Sequence, residues 1–309
     1  VLYRSNAQSR AIEEALLRVS IPYRIYGGLR FYERLEIKNA IAYLKIIFNN
    51  SDNPSFERSI SNPTRGVGEK TLGKIRQTAQ KYNISYIKAS AKLIDEGSIS
   101  GRGGSGLRDY LEFVAGCKSF IEENSLSDLM ELIIKESGLY SYHAKEAGEK
   151  GKTRTENLEE LITATKNFEQ SIREEKTNAE IAENYLDVIS LDAGDRQASE
   201  HDDAAQLMTM HSAKGLEFKL VLLTGLEESL FPHGRSMESA SQLEEERRLC
   251  YVAITRAMEK LYITHAESRR LHGNDTFNPP SRFLREIPKD LIDEIRPRAQ
   301  TNIPYNRKD

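Results

Sequence analysis

The segment Met208-Thr-Met-His-Ser-Ala-Lys-Gly-Leu-Glu-Phe218 decides the fold class, because a short polar turn in it joins two apolar stretches. The stretches at 206–210 and 220–224 have the composition of buried strands. Strands buried on both faces belong to parallel sheets that are covered by helices. The segment therefore predicts an α/β protein.

The same sheet is expected to include strands from both ends of the chain. Residues 1–3 and 21–26 have β-type patterns on either side of a helical pattern at 9–19, which is the order of a βαβ unit. A further strand is predicted at 261–264. From 31 to about 189 the apolar residues recur at helical spacing. These patterns predict one α/β domain that a helical insertion splits in two.

The domain boundaries follow from these patterns. We expect the α/β domain at 1–29 and 202–296, the inserted helical domain at 30–201, and a disordered tail at 297–309. Residues 193–203 are polar and charged, as in a linker. We expect few contacts across the boundary, so that a short linker could replace the insertion. Because a strand begins at Val1, we also expect the natural chain to continue upstream.

Composition limits the possible functions. The 309 residues are 39% hydrophobic and 29% charged, which suits two soluble domains. A net charge of -3 requires any DNA-binding surface to come from local clusters of Lys and Arg. Cys117 and Cys250 are too few for a disulfide framework or a zinc site. No apolar run approaches the roughly 20 residues that cross a bilayer, so we expect a cytoplasmic protein with no membrane partner.

The turn after residues 206–210 is expected at the carboxyl edge of the sheet. Ligands of open α/β sheets bind at this edge, where the side chains of the turn could meet a nucleotide or a DNA backbone. They are Thr209, His211, Lys214 and Glu217. The alternative is a solvated loop in which Gly215 supplies a tight conformation.

A second segment, Glu244-Glu-Glu-Arg-Arg-Leu-Cys-Tyr-Val-Ala-Ile-Thr-Arg-Ala257, is predicted to be a helix. Its apolar residues share one face, and Arg248 and Arg256 lie on another. The planar fork of arginine pairs with phosphate oxygens, so Arg256 at the helix end could stabilise phosphoryl transfer. The alternative is a surface helix whose charges pair with one another, which we accept for Arg247.

These two segments, together with Tyr3-Arg-Ser-Asn-Ala-Gln-Ser-Arg10, resemble motifs of superfamily 1 DNA helicases of the UvrD, PcrA and Rep type, in the same order and spacing. The segments Tyr26-Gly-Gly-Leu-Arg-Phe-Tyr-Glu-Arg34 and Pro279-Pro-Ser-Arg-Phe283 are similar to the proteobacterial UvrD branch. The resemblance covers nearly the whole chain, and motifs of this length are highly specific.

The resemblance implies that the α/β part is the second RecA-like domain, of the P-loop NTPase type, interrupted by a largely α-helical domain. Arg256 would then be the arginine finger on the γ-phosphate of ATP, and Glu217 would hold the ribose near the Gly215 backbone. The residues implied to contact single-stranded DNA are Arg4, Asn6, Thr209 and His211.

The chain itself has no phosphate-binding loop. The segment at 66–71 has Glu69 directly before Lys70, where the pattern requires Gly. No His, Cys or carboxylate cluster has metal-ligand spacing. ATP and Mg²⁺ would therefore be bound jointly with an N-terminal RecA-like half, and we expect no ATP hydrolysis from this chain alone.

His272 is a candidate DNA contact, because relatives usually carry Phe or Tyr at this position. Larger aromatic rings stack on a base with about 1–3 kcal/mol, and the smaller imidazole should give less. The alternative is a surface histidine before a turn at Gly273.

The segment Pro63-Thr-Arg-Gly-Val-Gly-Glu-Lys-Thr-Leu72 has the Gly-apolar-Gly pattern of helix-hairpin-helix proteins. Gly66 and Gly68 would let a duplex DNA backbone approach, and N–H groups at the following helix start could bind a phosphate. The cations that would add attraction are Arg65, Lys70, Lys74 and Arg76. The alternative is a tight interhelical turn.

Gly101-Arg-Gly-Gly-Ser-Gly106 fits the GxGxxG pattern, but it follows a helical stretch, so we predict a loop that connects helices.

The predicted function is the C-terminal portion of an ATP-driven translocase that moves on single-stranded DNA and unwinds duplex DNA in repair or replication. Two alternatives remain. One is a DNA-binding or regulatory module without catalysis, which would use the hairpin alone. The other is a helicase fused to a nuclease, although no acidic nuclease cluster follows the last helicase motif.

Overall fold

The computed structural model describes residues 1–172, 176–194, 203–271 and 274–295. Its main sheet has five parallel strands in the order β2-β3-β1-β4-β5. The strands are β1 (Leu2–Tyr3), β2 (Tyr23–Ile25), β3 (Ala205–Thr209), β4 (Phe218–Leu223) and β5 (Ala257–Ile263). A small antiparallel pair, β6 (Arg269–Leu271) and β7 (Asn274–Thr276), follows.

β1 lies beside β3 in the sheet, as expected. Leu2 pairs with Met208 and Tyr3 with Thr209, although some two hundred residues separate them in sequence. Such an insertion is tolerated because the entropy of closing a loop grows only logarithmically, by about 0.6 kcal/mol for each doubling of length. The α/β fold with an all-parallel sheet is confirmed.

Two helices cover opposite ends of the sheet. Helix α1 (Ser9–Arg18) packs Ile12, Leu16 and Leu17 against the core at β1, β2 and β3. The helix that joins β4 to β5 packs Leu249 and Ala253 against the core beneath these strands. Each helix buries one apolar face, as in other doubly wound sheets.

In the described part of the chain between β2 and β3, nine further helices share one large apolar core. Within it α2 is buried on nearly every side and contacts five of the other described helices of the group. The helices are α2 (Leu35–Phe48), α3 (Asn53–Ser61), α4 (Glu69–Tyr82), α5 (Tyr86–Asp95), α6 (Gly101–Glu123), α7 (Leu126–Glu136), α8 (Leu139–Ala144), α9 (Glu149–Ser171) and α10 (Asn178–Gly194). None of the described helices has the length and apolar character needed to span a membrane.

Two predicted element boundaries are wrong. The helix after β4, α11, spans Ala240–Ile254 and ends before Arg256, and β5 begins at Ala257 rather than at 261. The segment 101–106 forms the first turns of α6 and is not a loop. Its glycines allow this helix to press against the hairpin before α4, because a Cβ at Gly106 would overlap the Arg65 carbonyl oxygen.

Gly106→Ala should therefore destabilise the chain by about 1–3 kcal/mol, the usual cost of overpacking a filled site. Gly116→Ala is the matched control, because Gly116 lies in the same helix with no atom near the added Cβ. This control should gain about 0.5–1 kcal/mol from helix propensity. Urea unfolding of both variants measures the difference, and equal shifts would contradict the close packing.

The expectation of few contacts across the domain boundary is wrong. The Arg34 guanidinium, at the start of α2, donates to the Asn6 carbonyl at 3.0 Å and to Ser9 Oγ at 2.6 Å. It also donates to Asn157 Oδ1 of α9 at 2.9 Å. Arg10 of α1 pairs with Glu160 of α9 at 2.6 Å. Removing the insertion would break these bonds and would leave Ser9 and Arg10 with only their partners in α1, Glu13 and Glu14, among the described residues. The predicted tail at 297–309 and most of the predicted linker lie outside the described residues.

Candidate functional site

A cavity of about 510 Å³ opens at the carboxyl edge of the sheet. Because β1 and β3 are parallel and in register, the residues that follow them emerge side by side. The cavity is accordingly lined by all four residues predicted to contact single-stranded DNA within the described ranges: Arg4, Asn6, Thr209 and His211.

The opposite wall of the cavity comes from the inserted helices. Glu149, Lys152 and Glu156, all on α9, face the sheet residues across the opening. Glu156 accepts a hydrogen bond from Ser5 Oγ at 2.5 Å and pairs with His233 Nε2 at 3.3 Å. The cavity is therefore formed jointly by the sheet domain and the insertion.

Arg4 is held by a buried carboxylate of α11. Its Nε lies 3.1 and 3.0 Å from the two carboxylate oxygens of Glu246, and its Nη2 lies 2.7 Å from Oε1. Glu246 also accepts from the His233 backbone N–H at 3.2 Å and from Ser236 Oγ at 3.3 Å. Burial alone would raise the pKa of Glu246, but the hydrogen bonds and charge of Arg4 outweigh burial and lower it. The pair is therefore ionised at neutral pH.

Thr209 and His211, the lining residues from the turn after β3, are neutral. Burial, and next the charge of Arg4, lower the pKa of His211, so its imidazole is uncharged at pH 7. Thr209 Oγ1 accepts from the Ser212 backbone N–H at 3.1 Å and thereby closes the turn after β3. A neutral imidazole both donates and accepts hydrogen bonds, which suits a base edge or a sugar.

Glu217, Gly215 and Arg256 lie at the other edge of the sheet, and the prediction that Glu217 lies at the carboxyl edge is wrong. Glu217 immediately precedes β4, and Arg256 immediately precedes β5, so both lie at the amino ends of the strands. A parallel connection must return along the length of the sheet, and residues 210–217 do so. The six residues of β4 separate the two edges by roughly 16 Å.

Arg256 is fixed between the two motif segments. Its Nη1 donates to the Leu216 carbonyl at 2.8 Å, its Nε to the Val252 carbonyl at 2.9 Å, and its Nη2 to Thr255 Oγ1 at 3.1 Å. Arginine has five N–H groups, so two remain without a partner among the described residues. Arg248 is 70% exposed and pairs only with Glu245, so it does not join this group.

Glu217 is exposed and lies beside Arg256. The residue after Glu217, Phe218, donates its backbone N–H to the Arg256 carbonyl at 2.9 Å. Gly215 has φ +86, which explains the glycine, and nothing approaches the position of a Cβ. The backbone of this turn is thus open to a ligand. The three residues that the resemblance assigned to the nucleotide are together at one edge.

The predicted hairpin joins α3 to α4. Gly66 has φ +74, and a Cβ there would lie 2.8 Å from Cγ of Arg102. Gly68 is the N-cap of α4, and as a glycine it has no side chain to bond the N–H groups at the helix start. The space around its Cα is open. Lys70 is exposed and makes no ion pair in the described parts of the chain. Gly68 and Lys70 therefore lie where a phosphate could approach the helix start.

The other cations of the hairpin have partners within the protein. Arg65 donates to the carbonyls of Ser59, Pro63 and Ser137 and lies over the ring of Tyr43. Lys74 donates to the Ser98 carbonyl at 2.9 Å. Arg76 bonds to Glu57 and Glu69. This geometry favours a structural role for Arg65, contrary to the predicted phosphate contact. His272 lies outside the described residues.

Glu246 is the site residue that sequence analysis missed. It is 5% exposed and stands three and seven positions before Leu249 and Ala253, on the buried face of α11. A buried carboxylate requires a cationic partner or hydrogen-bond donors. The position of Glu246 on the apolar face of the helix could be read from the sequence. The identity of the partner was not, because Arg4 is 242 residues away.

The parallel sheet, the split connectivity and the two groups of residues define a helicase C-terminal domain. The chain belongs to the family of the UvrD-like helicase C-terminal domain, whose model matches residues 1–100 and 107–268. It is 46% identical over 308 residues to DNA helicase II of Escherichia coli (strain K12) and 48% identical over 306 residues to DNA helicase II of Haemophilus influenzae. It is 39% identical over 310 residues to the ATP-dependent DNA helicase PcrA of Bacillus subtilis. These matches cover 99–100% of this chain and 42% of each relative.

Proposed function

We propose that this chain is the C-terminal portion of an ATP-dependent DNA helicase that moves on single-stranded DNA and unwinds duplex DNA in repair or replication. Relatives named as DNA helicases match it over its whole length, which supports this proposal. Residues 1–29 and 202–296 would form the second RecA-like domain, and residues 30–201 the inserted domain. We expect the protein to act in the cytoplasm.

The observation that carries the proposal is the fixed guanidinium of Arg256 beside exposed Glu217 and open Gly215. A charge that is held in place before the reaction is the arrangement that stabilises phosphoryl transfer. The two free N–H groups of Arg256 suit a phosphate oxygen, and the Glu217 carboxylate suits a ribose hydroxyl. These residues therefore fit the edge of an ATP site.

The rest of the ATP site would come from the N-terminal RecA-like half of the same protein. Among the described residues there is no group of three His, Cys, Asp or Glu side chains that could hold a metal ion. We propose that the N-terminal half holds Mg²⁺, which would neutralise charge on the phosphates when bound. In this chain, Arg256 would orient and stabilise the γ-phosphate, and Glu217 would orient the nucleoside.

Single-stranded DNA would enter the cavity at the carboxyl edge. The neutral side chains of Asn6, Thr209 and His211 offer hydrogen bonds to bases or sugars, and Arg4 offers a fixed positive charge. Contacts of this kind, without a base-reading helix, suit a protein that moves along many sequences.

The activity is tested by comparing the full-length protein with this chain alone. The full-length protein should hydrolyse ATP faster with a single-stranded oligonucleotide and should unwind a tailed duplex. This chain alone should show no turnover above the background. ATP turnover by the isolated chain, or none by the full-length protein with DNA, would contradict the proposal.

Duplex DNA would contact the hairpin, with Lys70 as its exposed cation. Lys70→Glu should weaken duplex binding for all sequences alike and should lower the salt dependence, because each neutralised phosphate adds about 0.9 to the slope of log affinity against log salt. Lys289→Glu, in a short 3₁₀ helix of the sheet domain, is a control with the same charge change. Fluorescence anisotropy over a salt series measures both. Equal losses in the two variants would show that only net charge matters.

A further inference from the structure

Helix α11 bonds to two arginines at opposite edges of the sheet, Arg4 and Arg256. Glu246, in its second turn, holds Arg4 at the DNA cavity, and the Val252 carbonyl, in its last turn, accepts from Arg256. Six positions along the helix separate these two residues, a rise of about 9 Å. Helix α11 therefore contacts both the cavity, through Glu246, and Arg256 at the opposite edge of the sheet, through Val252.

The charge around the cavity shows why the orientation of Arg4 matters. Three lining cations, Arg4, Lys152 and Arg235, face four lining glutamates, so the lining as a whole gives no net attraction for phosphate. The glutamates are Glu149, Glu156, Glu245 and Glu246. In such a site, an arginine contributes to DNA binding mainly through the direction of its N–H groups, which determines the hydrogen bonds that it can donate.

The Glu246 carboxylate determines that direction. It accepts Arg4 Nε and one N–H of Nη2, which leaves three N–H groups of Arg4 without a partner among the described residues. Glu246 is itself held by the His233 backbone N–H and the Ser236 hydroxyl, which favours one orientation of the pair. Part of the conformational freedom of the Arg4 side chain is therefore lost before any DNA arrives.

We propose that Glu246 is a positioning residue that presents Arg4 to single-stranded DNA and links this contact, through α11, to the position of Arg256. The proposal rests on the proposed helicase function. A displacement of Arg4 by bound DNA moves Glu246, and α11 carries the movement to Val252 and thus to the guanidinium of Arg256. Binding of DNA and turnover of ATP would then be coupled within this domain.

A double-mutant cycle in the full-length protein tests this link. The measurement is the concentration of a short oligothymidylate that half-maximally stimulates ATP hydrolysis, together with the maximal stimulated rate. Glu246→Ala and Arg4→Ala should each raise that concentration about 10-fold and lower the stimulated rate. In the Arg4→Ala background, Glu246→Ala should change it less than 2-fold, because Glu246 acts through Arg4.

Two further variants separate positioning from folding. Glu246→Gln keeps the size of the side chain and one acceptor, so it should fold as the wild type and show an intermediate loss of DNA stimulation. Glu244→Ala removes an exposed carboxylate of the same helix that pairs with Arg247, and DNA stimulation should stay within 2-fold of the wild type. Thermal unfolding of each variant shows whether the fold is kept.

Additive effects of the two single changes, or tighter DNA binding on removal of Glu246, would overturn the proposal, since the carboxylate would then only support the fold or repel phosphate. Wild-type protein without DNA-stimulated hydrolysis would instead contradict the helicase function. The two failures are therefore distinguishable.

Discussion

In the full-length protein, Arg256→Ala should lower ATP turnover about 10³-fold or more, the effect known for arginine fingers in phosphoryl transfer. The structure gives the reason in this chain. Three bonds, to Leu216, Val252 and Thr255, hold the guanidinium at the amino edge of β4 and β5. A charge fixed in this way costs little reorganisation as the phosphate charge develops.

The binding of DNA should change little in this variant, because the proposed DNA cavity lies at the other edge of the sheet, roughly 16 Å away by the rise of β4. Arg256→Lys should recover only part of the rate, since an ammonium group cannot reproduce the planar fork. Arg248→Ala is the matched control, because this arginine of the neighbouring helix is exposed and bonds only to Glu245. Steady-state hydrolysis at saturating DNA measures all three, and a near-normal rate for Arg256→Ala would remove this residue from the site.

Arg34→Ala should lower the free energy of unfolding by about 3–5 kcal/mol, the usual cost of removing one partner from a buried charged network. Arg34 is 8% exposed and joins Asn6 and Ser9 of the sheet domain to Asn157 of α9. Its loss leaves the Glu13 carboxyl group, 2% exposed, with the weaker influence of Arg30 in place of the closer Arg34 charge. The variant should therefore loosen the contact between the insertion and the sheet domain.

Lys38→Ala is the control for this prediction, because Lys38 is an exposed cation one turn further along α2. It should change the free energy of unfolding by less than about 0.5 kcal/mol, as most surface substitutions do. Hydrogen exchange with mass spectrometry should show faster exchange in α9 and α1 for Arg34→Ala only. A loss below about 1 kcal/mol would mean that the network contributes little to the domain contact.

The insertion shows where sequence patterns reach their limit. Helical spacing from 31 to about 189 predicted the class of this region, because apolar periodicity is a local property of the chain. The same patterns suggested few contacts across the domain boundary, and this was wrong. Arg10, Arg34 and Glu160 are ordinary charged residues in sequence, and their bonds across the boundary depend on how α9 meets α1.

The glycines of 101–106 are a second example. The segment was predicted to be a loop because its GxGxxG pattern follows a helical stretch, and glycine is in addition unfavourable inside helices. The close approach of α6 to the carbonyl oxygens of Arg65 and Gly66 requires these glycines, and the packing outweighs the local preference. Local propensity could not reveal a neighbour that lies some forty residues earlier in the chain.

The sequence by itself determined the α/β class, the helical insertion and the motif segments, because strand patterns, apolar periodicity and long motifs are written in neighbouring residues. Only the tertiary structure decided which of the predicted residues act together. Parallel strands bring Arg4, Thr209 and His211 to one edge and return the chain to place Glu217 and Arg256 at the other. The reason is that strand direction and register connect residues more than two hundred positions apart, a distance over which no local pattern operates.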